Sequence, residues 1–343
     1  MVNLAIMKAI YLVKKGNPET AFEIREVDSP KPGPGEVLIK SEGFGLNYSE
    51  VMARNGLYRE APPMPSVLGY EVVGEIVEIG EGTDQKWLGK RVVGFTRFGG
   101  YAEYAVTGEK GVVEIGDMDM GEATCLATQG VTAYYMAYEQ LNLFEGDRVM
   151  IHAGAGGVGT LLIQLCKLKG CEVFANAGSD EKLNLMKELG ADHVMNYRTQ
   201  DYQEVIQKIL GEECLDATFN PIAGKTFKKD FELIGSGGTV VLFGGSELSG
   251  GGFFKKLGFI WSMGLMLPIG LMMRSKSVVG TNMLKIGDNK IDVLNRCMRE
   301  MVALAKEGKI KPVVGHTYNH TEIRKAHDLL ESRKSKGKIV ISW

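Results

Sequence analysis

Cysteine is scarce and unpatterned. The five cysteines stand at 125, 166, 171, 214 and 297, and no two form a C-x-x-C pair. No disulfide framework is expected, and a reduced, cytoplasmic setting fits better. An excess of one charge is also missing. Lys and Arg number 40 against 42 Asp and Glu, for a formal net charge of −2. That balance implies no general attraction to nucleic acid or anionic membrane. The chain start has no long apolar run before Lys14 and Lys15, so no secretory signal is expected. No internal repeat of solenoid length is present. What remains is ordinary globular material. The 343 residues are 44% hydrophobic and 24% charged, enough for two domains with full cores.

One stretch organises the rest. Residues 147–159 read Asp-Arg-Val-Met-Ile-His-Ala-Gly-Ala-Gly-Gly-Val-Gly. Arg148 to Ala153 predicts a buried strand, and Val158 to Leu168 a helix with Leu161, Leu162, Leu165 and Leu168 on its apolar face. Gly170 is the expected helix stop. Gly154, Gly156 and Gly159 fit G-x-G-x-x-G between strand and helix, the context in which that motif means a dinucleotide site. Gly154 is expected to allow the tight turn, Gly156 the approach of a pyrophosphate, and Gly159 close helix–strand packing. The helix N-terminus offers N–H groups and a positive dipole end to phosphate.

Before this stretch the chain reads as β structure. Short apolar runs at 9–13, 37–41, 72–79, 91–95 and 101–106 are cut by Gly and Pro clusters such as 31–35 and 61–65. Such punctuation predicts a compact barrel or sandwich. From Gly121 to Tyr138 the pattern turns helical. After Asp147, strands and helices alternate. Strands are predicted at 171–176, 193–196, 215–219, 239–243 and 277–280, with helices at 180–189, 201–210 and 225–234. With the first strand this makes a doubly wound parallel six-stranded sheet. Helices at 295–307 and 321–332 and a strand at 338–342 follow, and are expected to return to the N-terminal domain. The active cleft is then expected between the domains.

The uncharged stretch 257–273 is rich in Met, Leu and Gly and is bounded by Lys255, Lys256 and Arg274. It falls short of the roughly 20 residues of a confident membrane span, and Pro268 weakens a continuous helix. A buried or interfacial lid, a hydrophobic substrate wall and a partner contact are the readings kept open; membrane contact ranks last.

The second strand points to the cofactor. An NAD-type site carries Asp or Glu at the end of that strand. Here the end reads Ala175-Asn176-Ala177-Gly178-Ser179, Glu172 lies at the wrong end, and Asp180 and Glu181 suit a helix start. The absence of a carboxylate removes a repulsion to a 2′-phosphate. Ser179, Lys182 and Tyr197 are candidate donors to it, so NADPH is expected over NADH. The competing reading makes Lys182 a solvated helix lysine and Tyr197 a loop residue.

Gly45-Leu46-Asn47, Arg54-Asn55-Gly56-Leu57-Tyr58, Leu68-Gly69-Tyr70-Glu71, Gly100 to Tyr104, Val131 to Tyr134, Ala153 to Gly159, Leu189-Gly190-Ala191 and Gly337 to Val340 together span nearly the whole chain. They resemble the zinc-free quinone oxidoreductase branch of the medium-chain dehydrogenase/reductase superfamily. Residues 47–58 and 257–273 look most like its vesicle amine transport protein-like members. The resemblance implies a GroES-like β-rich catalytic domain (1–128 and 282–343) and a Rossmann NADP-binding domain (129–281). Zinc-dependent relatives place Cys, His and Cys at positions that align with Asn47, Tyr70 and, less securely, Thr128; none of these suits zinc. Their four-cysteine zinc lobe is absent, since 93–100 runs straight into the next strand. Cys125 reads as core, the five His residues show no ligand spacing, and His152 reads as a satisfied polar core residue. No metal is expected.

Without a metal, alcohol oxidation is hard. Metal binding lowers the pKa of water from about 16 to about 7, worth roughly 12 kcal/mol at about 1.4 per unit. A quinone or conjugated carbonyl is already electrophilic, so holding donor and acceptor in a dry cleft does most of the work. The resemblance implies a pyrophosphate site at Ala155, Gly156, Gly157, Val158 and Gly159; Gly178, Ser179, Lys182 and Tyr197 are the candidates at the adenosine end. It implies Asn220, Phe243, Gly244, Gly245, Thr281 and Asn282 at the nicotinamide half, and Asn47 facing the carboxamide or the substrate. Met52, where many relatives carry Tyr, joins Tyr70 and Trp261 as candidate substrate contacts. Tyr70 is a candidate proton donor, with packing as its other reading and solvent as the other proton source. The strand 239–243 is expected to pair with its copy in a homodimer.

The function expected is therefore hydride transfer from NADPH to a small hydrophobic quinone. Reduction of an alkenal or enone double bond is the alternative in the same class. A non-catalytic NADPH-binding trafficking or membrane-associated protein is the alternative from another class, and a zinc alcohol dehydrogenase is a distant one.

Overall fold

The computed structural model describes residues 6–248, 258–259, 261–264 and 267–343. The chain divides into two units, Met1–Val131 with Met283–Trp343, and Thr132–Asn282. The first unit begins with β1 (Ile6–Leu12), β2 (Phe22–Asp28), β3 (Glu36–Leu46), β4 (Ser66–Val67), β5 (Glu71–Ile79), β6 (Arg91–Phe95), β7 (Tyr104–Gly108) and β8 (Val112–Glu114). The second unit holds β9 (Arg148–Ile151), β10 (Glu172–Ala177), β11 (His193–Asn196), β12 (Leu215–Asn220), β13 (Ile234–Leu242) and β14 (Ser277–Gly280). The chain then completes the first unit with β15 (Val314–Asn319) and β16 (Lys338–Ser342).

In the first unit β3 serves three partners. Glu36–Lys40 pairs with β7, Val37–Phe44 with β5, and Gly43–Leu46 with β16. The register breaks between Ser41 and Gly43, where an irregularity lets one long strand change direction. The order is β15-β16-β3-β5-β6-β8, beside a second sheet β2-β1-β4. Ile10, Phe22, Ile39, Phe44, Leu46, Leu68, Val72 and Ile341 form its core. The sequence reading missed β2, β4, β8 and β15. β4 and β8 are only two and three residues long. β2 and β15 are edge strands, and their sequences are too charged or polar to show an apolar run.

The second unit is one parallel sheet in the order β11-β10-β9-β12-β13-β14. The chain winds outward from β9 to β11, then returns to β12 and winds the other way. The reversal falls between β9 and β12, so a crevice is expected outside their carboxyl ends. Helices Gly157–Leu168, Asp180–Glu188, Tyr202–Leu210 and Lys225–Leu233 cross between the strands.

Three expectations are corrected here. Leu168 is 45% exposed, while Ile163 is fully buried beside Leu161, Leu162 and Leu165. At about 100° per residue, Leu168 stands well round the helix from the buried face of Leu162, Leu165 and Cys166. The strand expected at 239–243 is the end of β13, which is bonded on one edge to β12 and on the other to β14. It has no edge left for a copy of itself; the exposed edge on that side belongs to β14. Where described, the 257–273 stretch is only partly covered, with Met263 packed against the core. Trp261, Leu267, Ile269, Met272 and Met273 are exposed, and Pro268 starts a helix, Pro268–Arg274, rather than breaking one. Leu257, Ile260, Leu265, Met266 and the flanking Lys255 and Lys256 lie outside the described residues. Among the described residues no helix is long and apolar enough to cross a membrane.

The short helix Tyr48–Arg54 carries Met52 and starts at Asn47, and buried charges seat it. The Glu50 carboxyl group accepts the Asn47 N–H at 2.7 Å and the Tyr101 hydroxyl at 2.8 Å. Tyr101 also meets His327 Nε2 at 3.2 Å. One turn on, buried Arg54 pairs with Glu331, which also accepts from Asn55 Nδ2 at 2.7 Å. Burial, with the Glu71 charge nearby, pushes the Glu50 carboxyl up to about 8 from 4.5. The folded protein therefore holds a proton between these values that the unfolded chain has released, so stability is lost as pH rises through the window. Glu50→Gln, which mimics the protonated carboxyl, is expected to gain stability relative to wild type by roughly 1 kcal/mol per pH unit between about pH 5 and pH 8. Urea unfolding across that range measures it, and parallel pH profiles for the two proteins contradict it.

Candidate functional site

The glycine turn follows β9. Its left-handed residue is Ala153, at φ 52, and not a glycine. Gly154 is required for clearance instead: a Cβ there would lie 2.5 Å from Met186 Sδ and 3.0 Å from Ala175 Cβ. Gly159 lets the helix close on the strand, since its Cβ would lie 2.5 Å from the Ala153 carbonyl oxygen and 2.7 Å from Gly154 Cα. At Gly156 a Cβ would meet the Ala153 carbonyl oxygen at 3.2 Å and nothing else within 4 Å. Gly156 is also the N-cap of helix Gly157–Leu168, with no side-chain cap bond. Ala155, Gly156, Gly157, Val158 and Gly159 thus stand at the positive end of a helix, with Gly156, Gly157 and Val158 partly exposed, which suits a pyrophosphate.

The end of β10 collects basic and hydroxyl groups. Gly178 lies so close to the third strand's exit that a Cβ there would sit 2.6 Å from the Tyr197 hydroxyl and 3.1 Å from Arg198 Nε. Ser179 is the N-cap of helix Asp180–Glu188, with no side-chain cap bond. Lys182, in that helix, has its ammonium pKa lowered by burial first and by the Arg198 charge second; Glu181 acts the other way. Asp180 is occupied by Asn196 Nδ2 at 3.3 Å. At the opposite end of β10, Glu172 is paired with Arg148 at 3.2 Å and His193 at 2.8 Å. The sequence reading missed Arg198. Its position one residue after Tyr197, at the exit of the third strand, was the available signal.

The carboxyl ends of β12, β13 and β14 bring the remaining second-unit candidates together. Phe243 N–H donates to the Asn220 carbonyl at 3.2 Å, and Thr281 N–H to the Leu242 carbonyl at 2.8 Å. Gly244 packs on Pro221; a Cβ on it would lie 2.7 Å from the Pro221 carbonyl oxygen. Thr281 Oγ1 donates to Gln140 Oε1 at 2.6 Å. Asn220, Phe243, Gly244, Gly245, Thr281 and Asn282 therefore stand in adjoining loops at the strand ends, on the side where open α/β sheets bind ligands. Trp261 is 77% exposed.

In the first unit Asn47 is 5% exposed and its amide is engaged. Nδ2 donates to Glu71 Oε1 at 3.0 Å, and Oδ1 accepts from Lys338 Nζ at 3.0 Å. Lys338 also pairs with Glu71, both side chains being fully buried. A π turn at Leu126–Gly130 turns the Thr128 N–H onto Glu71 Oε2 at 3.2 Å. Gly45 makes the room, because a Cβ there would overlap Lys338 Cε and Glu71 Oε1 at 2.1 and 2.5 Å. An ammonium thus lies beside Asn47, and Glu71 compensates it. Among the described residues no group of three or more His, Cys, Asp or Glu is placed to hold a metal ion.

Tyr70 is buried, with its ring 5.0 Å from Phe98 and 6.4 Å from Tyr58, edge-on. Burial first, then the neighbouring Tyr58 phenol, drives its own phenol well above the usual range. A phenol that resists ionisation is a weak acid, which favours the packing reading. Met52 is half-buried on the helix that starts at Asn47. His152 is a fully buried polar residue with two side-chain partners, as expected.

Comparison with known proteins places the chain. A family described as "Alcohol dehydrogenase GroES-like domain" matches residues 33–119, and one described as "Zinc-binding dehydrogenase" matches residues 157–307; together they cover more than two thirds of the chain. The rat protein called "Synaptic vesicle membrane protein VAT-1 homolog" is 29% identical over 331 residues, 95% of this chain and 81% of that one. Rat "Quinone oxidoreductase" is 27% identical over 98% of each chain. The crystal structure of Escherichia coli quinone oxidoreductase complexed with NADPH superposes with a TM-score of 0.86 at 25% identity, over 98% of this chain and 100% of that one. The chain belongs to the medium-chain dehydrogenase/reductase superfamily, and its likenesses fit the zinc-free quinone oxidoreductase branch.

Proposed function

We propose that this protein is an NADPH-dependent oxidoreductase that transfers hydride to quinones without zinc. The observation that carries the cofactor half is the end of β10. That strand ends without a carboxylate, and Gly178 there is packed against Tyr197 and Arg198, with Lys182 close enough to feel the Arg198 charge. Lys182 and Arg198 put two cations near each other, with Glu181 acting the other way on Lys182, and a 2′-phosphate suits that place. The reading is supported by the NADPH-bound quinone oxidoreductase that superposes on this chain.

In this proposal Ser179, Lys182, Tyr197 and Arg198 hold the 2′-phosphate, and Ala155 to Gly159 hold the pyrophosphate. Phe243, Gly244, Gly245, Thr281 and Asn282 orient the nicotinamide half, and Asn220 acts there through the loop it holds after β12. NADPH supplies the hydride, and reduction of a quinone to the hydroquinone takes up a proton besides. Asn47 and Tyr70, with Met52 and Trp261, are proposed for the acceptor side, and solvent for the proton.

Exposed Trp261, Leu267, Ile269, Met272 and Met273 favour a second reading in which this face meets a membrane or partner. Co-sedimentation with liposomes that is lost on deleting 257–273, together with NADPH binding and no turnover, would replace the first reading by it. A cytoplasmic homodimer is proposed as the working form, with the exposed edge of β14 available for pairing.

Two outcomes are expected. Lys182→Ala and Arg198→Ala should each raise the dissociation constant for NADPH by about 10- to 100-fold and leave that for NADH within about twofold, as loss of a charge-assisted bond predicts. The wild-type preference should also fade as pH rises through the lowered Lys182 pKa, because the ammonium that the phosphate needs is then lost. Calorimetric titration checks both, and equal effects on the two nucleotides contradict them. In steady state, an ortho-quinone should oxidise NADPH faster than an alkenal does; a hundredfold preference for the alkenal would reassign the substrate class.

A further inference from the structure

Beneath the proposed cofactor face, one buried carboxylate connects two strained loops. Asp230, on helix Lys225–Leu233, is fully buried. Its Oδ1 accepts the Tyr202 hydroxyl at 2.9 Å and faces His152 Nε2 at 2.8 Å. Its Oδ2 accepts Asn220 Nδ2 and, at 3.4 Å, the Thr218 hydroxyl. Surrounded by donors, this carboxylate acts only as an acceptor, so His152 carries its proton on Nε2.

One side of the network follows from that tautomer, and the other from Asp230 directly. His152 Nδ1 is then an acceptor, and Asn176 Nδ2 donates to it at 3.0 Å. This turns Asn176 Oδ1 toward the turn, where it accepts the Ala153 N–H at 3.2 Å. On the other side, Asn220 spends Nδ2 on Asp230 and on Thr226 Oγ1. Its Oδ1 therefore accepts, taking the N–H groups of Ile222 and Ala223 at 2.8 Å each. Ala153 and Ala223 stand at φ 52 and φ 60, the left-handed region that alanine resists. Ala153 opens the glycine turn, and Ala223 lies in the loop after β12. The two asparagine clamps sit at the carboxyl ends of β10 and β12, on either side of β9.

We infer that His152 and Asp230 are positioning residues which, through Asn176 and Asn220, hold Ala153 and Ala223 in left-handed conformations and so pre-shape both cofactor-facing loops before NADPH arrives. The role in NADPH binding rests on the proposed function; the coupling of the two loops does not. Strain held in place by surrounding bonds is a form of pre-organisation that a binding site can use. Neither alanine touches the cofactor in this account. They set where the neighbouring backbone N–H groups point.

Two measurements test it. In the cofactor-free protein, Asp230→Asn should speed amide hydrogen exchange by about tenfold or more at both 153–156 and 222–224, with β5 unchanged. Acceleration of only one segment, of neither, or of every amide alike overturns the coupling. Asn220→Ala should weaken NADPH binding about fivefold or more, and Ala223→Gly added to it should restore affinity to within about twofold of wild type, because glycine adopts positive φ without help. A general folding defect would not be cured by that glycine, so an unrestored loss, or no loss at all, overturns the positioning role. If wild type bound no NADPH, the proposed function would fall, and the exchange measurement would still decide the coupling.

Discussion

A carboxylate taken out of water costs several kcal/mol unless donors replace the lost hydration. Asp230 meets that requirement with Tyr202, Thr218, Asn220 and His152, and the arrangement leaves little freedom elsewhere. It sets the tautomer of His152, which sets the amide orientation of Asn176, which fixes the backbone at the entry to the glycine turn. The same carboxylate orients Asn220 and with it the loop after β12. A parallel sheet places strand ends side by side, and this network converts that proximity into a defined backbone surface.

The first unit meets a similar constraint with a buried ion pair. Lys338 and Glu71 are both fully buried, and Asn47 bridges them with both ends of its amide. Removing one partner of such a pair is costlier than keeping both, because it strands the other charge. Gly45 is glycine because the pair occupies the space a side chain would need. In the proposed chemistry this matters because the acceptor brings its own electrophilicity. The protein then needs orientation and dryness more than Lewis acidity.

Much of this was legible in the sequence, for physical reasons. Strands buried on both faces, such as β9 and β10, write themselves as apolar runs, and the glycine motif between β9 and its helix marks a turn that few other residues allow. Edge strands do not: β2 and β15 carry charged and polar residues because their outer sides face water. The neighbours of β13 depend on β14, a short strand far along the chain, so an edge was expected where an interior strand lies. In the site, the missing carboxylate after β10 was readable, whereas Arg198 is brought to Gly178 by tertiary packing. Gly154 was read as the tight turn, but its role is clearance under Met186, and the positive φ falls on Ala153. His152 was legible as a buried polar residue; its partner Asp230 lies 78 positions away and has no local signature.

In the proposed function a nicotinamide is held by backbone turns at the ends of a parallel sheet and an acceptor is reduced with no metal to assist. A single-turnover experiment tests this most directly. Purified protein stripped with a chelator and shown to contain no zinc is loaded with one equivalent of NADPH and mixed with excess ortho-quinone. The account predicts complete loss of nicotinamide absorbance with one hydroquinone formed per NADPH, at a rate that added zinc does not raise. No loss of absorbance, or loss that appears only when zinc is restored, would contradict it.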